Sequence, residues 1–294
     1  MARFVLGRFW TGCARDGPVN AARDRLQHCF ERGGATVRKL LITGNSHGGV
    51  LRAAWNALSV RPEGLEVDFL NIGAKHFAHM GVSPEGRFGI TDESILATLN
   101  LPEYRKIDGA LSCDLRNYSH VLVAGSFSGT SMILRMLADH RVDLIRESPA
   151  GLPRLSQQAY LAFSQAIALQ RLPLARIDSF KPWCKVGLFL APRLSERILD
   201  DPEVSPYLKA IAQDPAGVPE ALALIETALQ GAIAEKGAKL FAVPVESLAA
   251  SGLTRAEFSR DITLPTATGL PDYEHMNEAY GALCLGPIIE WALA

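Results

Sequence analysis

Five short apolar runs punctuate this chain: Lys39–Thr43, Glu66–Ile72, His120–Ala124, Val186–Ala191 and Ala238–Val243. Each is bounded by glycine, proline or polar residues, and few polar positions alternate within it. That pattern marks a strand covered on both faces. Helical patterns fill the intervals. Val50–Ser59 carries apolar residues at 50, 51, 54, 55 and 58, the stripe of one helix face. Ser128–Asp139, Ser156–Leu172 and Asn277–Ala292 read as helices too. So do Val204–Ala212 and Pro219–Glu235, a pair interrupted by Asp214-Pro215-Ala216-Gly217. Strands alternating with helices predict an α/β fold, a three-layer α/β/α sandwich around a mostly parallel central sheet.

Residues 39–294 read as a single domain, with a nearly all-helical insert around 196–237. The insert can cap a site or serve as ordinary packing helices. Residues 1–38 have no clear strand and are expected to form a poorly ordered extension. Trp10-Thr11-Gly12-Cys13 has the look of a lipoprotein cleavage site, but the apolar stretch before it is short and Arg8 interrupts it.

At 48% hydrophobic and 21% charged, the chain suits a sizeable core. Thirty basic and 31 acidic residues give a net charge of -1. That balance argues against a nucleic-acid or anionic-membrane partner. No apolar run reaches the roughly 18 residues of a membrane-spanning helix. The five cysteines are scattered and never in a Cys-x-x-Cys pair. They imply neither a disulfide framework nor a zinc-thiolate site and fit a reducing, cytoplasmic setting.

Chemistry is concentrated in two segments. Gly44-Asn45-Ser46-His47-Gly48-Gly49 lies between the first strand and the first helix. In a parallel sheet ligands bind beyond the carboxyl ends of strands. A serine there has its backbone N–H at a helix N-terminus, where positive partial charge favours an oxyanion. The bland alternative is that Ser46 or Asn45 caps the helix. A phosphate loop would need Gly-x-Gly-x-x-Gly or Gly-Lys-Ser/Thr, and neither is present. Far downstream, Asp272 and His275 are spaced to meet on one face of a turn. Such a pair can orient a histidine base, and it can also be an ordinary surface pair.

Taken together, the two segments resemble the SGNH (GDSL-like) hydrolases over roughly residues 39–294. That family's first block is Gly-Asp-Ser, here Gly44-Asn45-Ser46, and its last is Asp-x-x-His, here Asp272–His275. The resemblance implies a serine esterase or acyl hydrolase working through an acyl-enzyme, with Ser46 as nucleophile, His275 as base and Asp272 orienting it. It implies an oxyanion hole built from the Ser46 and Gly73 N–H groups, Gly73 standing where the family has its second-block glycine. It implies a small-molecule ester substrate, drawn from lipid esters, acetylated sugars and thioesters, and no cofactor.

The third block, Gly-x-Asn-Asp in the family, reads Gly125-Ser126-Phe127-Ser128, so Phe127 stands at the asparagine donor. Ser126, Ser128, Asn45 and Asn71 are candidate replacements. Asn45, His47, Ser126 and Phe127 are expected beside the substrate, although packing behind the nucleophile is the stronger reading of His47. The alternatives are an O-acyltransferase with the same triad and a non-catalytic binding protein with the hydrolase fold.

Other residues weigh less. His76 and His79 have the spacing of a metal pair but no evident third ligand, so no metal is expected. Arg193, Arg52 and Arg260 can face an anionic substrate or remain surface charges. Cys284 and Trp291 are expected in the core.

Overall fold

In the computed structural model, which describes residues 37–90, 92–99, 107, 110–126, 130–143, 151–201, 208–209, 212, 216–260 and 271–294, the first apolar run is strand β1, Arg38–Gly44. It is followed by helix α1 (Gly48–Ala57), strand β2 (Leu65–Asn71) and a single-turn helix α2 (Ala74–Phe77). Next come β3 (Gly81–Val82), β4 (Arg87–Gly89), α3 (Glu93–Thr98) and β5 (Ser112–Asp114). The core resumes with β6 (His120–Ser126) and α4 (Thr130–Asp139). Two-residue strands β7 (Arg141–Val142) and β8 (Arg154–Leu155) precede α5 (Gln157–Arg171) and α6 (Leu174–Phe180). Last are β9 (Lys185–Leu190), α7 (Gly217–Glu235), β10 (Lys239–Phe241) and α8 (Glu278–Leu293).

The five expected strands pair, all parallel, in the order β10-β9-β6-β1-β2. Helices cover both faces, giving the three-layer α/β arrangement. Side chains on each strand alternate between the layers. Leu40, Ile42, Phe69, Leu122, Ala124 and Phe189 join α1 and α8 on one face. Leu41, Leu70, Val121, Val123 and Leu188 join α4, α6 and α7 on the other. Each such leucine, isoleucine, valine or phenylalanine contributes about 2 kcal/mol by leaving water, against about 1 kcal/mol net for one hydrogen bond. The faces of the sheet, rather than its loops, therefore hold the frame on which the site rests.

The order of the strands sets where a site can form. From β1 the chain crosses to β2 on one side and later returns to β6 on the other. The carboxyl end of β1 is thus the switch point, where two crossovers diverge and leave a crevice.

Some elements differ from the sequence-based expectation. A small antiparallel sheet, β3-β4-β5, follows the second strand. Its strands have two or three residues and carry no measurable period. Within the helical insert, Glu196–Asp200 is a 3-10 turn, and α7 buries Val218, Leu222, Ile225, Leu229 and Ile233 in the core. Most of Val204–Ala212 lies outside the described residues, as do residues 1–36; Arg38 of the expected extension already belongs to β1. Cys284 is buried and Trp291 packs edge-on against His120 and Phe241. No helix among the described residues is long and apolar enough to cross a membrane.

Candidate active site

The turn carrying Ser46 is fixed by backbone geometry before any side chain acts. Gly44 has φ +148°, and a Cβ there would lie 2.0 Å from the Ala124 carbonyl oxygen of β6. Only glycine allows β1 and β6 to approach this closely as the chain leaves the sheet. Asn45 then ties the turn across the crevice. Its Nδ2 donates to the Gly125 carbonyl at 3.1 Å, and its Oδ1 accepts from the His47 N–H at 3.1 Å. Gly125 must be glycine as well, with φ +78° and Asn45 Oδ1 occupying the place of a Cβ. Asn45, the residue expected beside the substrate, thus also has both ends of its amide engaged in the fold.

Ser46 follows, exposed, at the start of α1. Its hydroxyl does not cap that helix; it lies 2.8 Å from His275 Nε2. His275 Nδ1 lies 2.9 and 3.0 Å from the two Asp272 carboxyl oxygens. Asp272 Oδ1 also accepts the backbone N–H groups of Glu274 and His275. Burial alone would raise the Asp272 pKa. The His275 ring and these N–H groups outweigh it and hold the carboxyl below its ordinary value. With Asp272 anionic, a neutral His275 ring would keep its proton on Nδ1 and turn the Nε2 lone pair to the Ser46 hydroxyl. That is the protonation state a general base requires.

The acid–histidine loop is held from outside itself. Ser195 N–H donates to the Tyr273 carbonyl, Arg260 N–H to that of His275, and Asn277 N–H to that of Phe258. Tyr273 OH donates to Asp201 at 2.7 Å. The buried Ser195 and Ser259 hydroxyls are hydrogen-bonded to each other. Asn277 then caps α8 by accepting from Tyr280 N–H. Apart from the Asn277 cap, which is local, none of these supports was anticipated from sequence, since each partner is distant along the chain and no local pattern marks it.

His47 is only 7% exposed. Its ring stacks on that of His275, with centroids 4.9 Å apart and planes inclined by 22°. Burial, and then the neighbouring His275 charge, lower its pKa to about 4, with Asp272 opposing. Of its two expected places, it occupies the one behind the nucleophile.

Gly73 is exposed at the carboxyl end of β2, beside β1. Neither its N–H nor that of Ser46 has a backbone acceptor among the described residues. The Asn71 amide is buried without a partner among the described residues and lies against Gly48, where a Cβ would come within 2.6 Å of it. The Ser126 hydroxyl is likewise buried and unpartnered among the described residues. Phe127 and Ser128 lie outside the described residues.

Arg193 does not face the crevice. It is buried, with Nε and Nη2 on Glu226 Oε1 at 3.0 and 2.8 Å and Nη1 on the Gly252 carbonyl. Arg260 is half-exposed, 3.9 Å from Asp272 Oδ2. Among the described residues no group of three or more His, Cys, Asp or Glu could hold a metal ion. A cleft of about 420 Å³ opens between β10 and α8, and no member of the Ser46–His275–Asp272 chain lines it. No family model matches the chain, and no curated protein matches it.

Proposed function

We propose that this protein is a serine acyl hydrolase of the SGNH (GDSL-like) type that cleaves a carboxylic ester through an acyl-enzyme. One observation carries the reading. A hydroxyl, an imidazole and an anionic carboxylate from segments 229 residues apart form one hydrogen-bonded chain at the switch point of a parallel sheet.

In this mechanism Ser46 Oγ attacks the ester carbonyl as His275 Nε2 takes its proton. Asp272 holds the ring tautomer and stabilises the imidazolium. The carbonyl oxygen, now negative, meets the Ser46 and Gly73 N–H groups at the positive end of α1. His275 then gives its proton to the leaving alcohol, and water releases the acid by the same steps in reverse. None of these steps calls on a cofactor. The free thiols Cys113, Cys184 and Cys284 support a reducing, cytoplasmic setting as part of this proposal.

The test is turnover of short-chain aryl esters and acetylated sugars, with Ser46→Ala as control. Hydrolysis that vanishes in the variant supports the proposal. Acetyl transfer to a sugar hydroxyl in excess of hydrolysis would make the protein a transferase. No turnover by folded protein would favour a binding protein on the same fold.

A further inference from the structure

The geometry points to a further role: His47 is a positioning residue, a flat plate that fixes the tilt of the His275 ring and so aims Nε2 at Ser46. The role rests on the hydrolase reading above, but its physical basis can be seen without it. A hydrogen bond from Nδ1 to Asp272 leaves the His275 ring free to rock about that bond. Something must fix the other angle. The His275 side chain is about 29% exposed, so the surrounding protein does not enclose it. The face of the His47 ring lies against it instead, nearly parallel, at 4.9 Å between centroids.

His47 is well suited to that task. It directly follows Ser46, so the plate and the nucleophile ride on the same turn. Its backbone N–H is tied to Asn45 Oδ1, and Asn45 is tied to β6. The plate is thus anchored to the sheet rather than to the loop it steadies. Its Nδ1 is buried without a partner among the described residues, as expected for a ring that acts through its face and not as a proton relay. Burial keeps the ring neutral above about pH 4. A neutral aromatic face tolerates the imidazolium that forms during reaction, whereas a second cation would oppose it.

Three variants separate the plate from mere filling of space. His47→Phe keeps a flat face, His47→Leu keeps volume without one, and His47→Ala keeps neither. Two readouts are used on the full-length protein. One is the low-field proton resonance of His275 Nδ1–H in its bond to Asp272, which needs no catalysis. The other is the rate of Ser46 labelling by a fluorophosphonate. The resonance should be sharp in the wild type and His47→Phe, and broadened in the Leu and Ala variants. Labelling should slow about 100-fold in the Leu and Ala variants and stay within about threefold in His47→Phe.

The inference is overturned if the Leu variant keeps a sharp resonance and full labelling. It is equally overturned if His47→Phe behaves like His47→Leu, or if the wild type shows no such resonance. Where His47→Ala fails to fold, the Phe and Leu pair decides. If the resonance behaves as expected and the wild type does not label, the hydrolase reading falls and the plate stands.

Discussion

At the Ser46 turn, the constraints come from neighbouring strands: the Gly44 backbone against Ala124, and the Asn45 amide on Gly125. Among the described residues, the acid–histidine loop pairs with no strand of the sheets. Its shape is imposed by Ser195, Asp201, Phe258 and Arg260, from two other stretches of chain. The first half of the site is therefore as rigid as the sheet. The second is as rigid as a set of single hydrogen bonds, each contributing about 1 kcal/mol. This difference places the aiming problem on His275 rather than on Ser46.

The contrast can be tested by perturbing each half. Asp272→Asn should have the largest effect. An amide cannot enforce the Nδ1–H tautomer, and acylation should fall about 10⁴-fold, roughly 5 kcal/mol in the barrier. A stopped assay on an aryl ester reads this. Gly44→Ala attacks the rigid half. Its Cβ would enter the β6 backbone at a φ that alanine avoids, and the fold should lose about 3 kcal/mol or more. Urea denaturation checks it, and wild-type stability would show that the turn is less rigid than described.

Acid should act next, with an effect on the order of 5 °C in Tm. Burial, with His275 for His47 and with Lys185 and Arg38 for His120, lowers both pKa values from 6.5 to about 4. Between those values the unfolded chain binds more protons than the folded one. Stability is then full above about pH 6.5 and falls as pH drops toward 4. His120→Phe should remove its share of that fall. Asp272 extends the loss further into acid, since its depressed pKa contributes stability above 3.8 that disappears as pH falls through its folded value. Thermal melts across the range read both limbs.

The smallest effect belongs to the loop's supports. Tyr273→Phe removes one partly exposed hydrogen bond to Asp201 and should lower Tm by about 2 °C. The turn at Ser46 should not respond. A larger effect on labelling than on Tm would show that the loop, once loosened, misaims His275.

The same division decides what could be read from the sequence. The five core strands were legible to within a residue or two. Runs such as Leu40-Leu41-Ile42 are buried on both faces and end at glycines with mechanical reasons to be there. Ser46, His275 and Asp272 could be paired because each half has its own local spacing. The β3-β4-β5 sheet was not legible, because strands of two or three residues have no period to detect. The tie from the Asn45 amide to β6 was not legible, because its partner Gly125 is 80 residues away. Arg193 was misplaced because nothing local announces its pairing with Glu226. The supports of the acid–histidine loop were invisible for the same reason.

The central claim is that Ser46 is an activated nucleophile, and the most direct measurement is covalent labelling by a fluorophosphonate followed by peptide mapping. One adduct is expected, on Ser46, absent in Ser46→Ala and strongly slowed in His275→Ala. An adduct on another residue, or none on folded protein, would contradict the account.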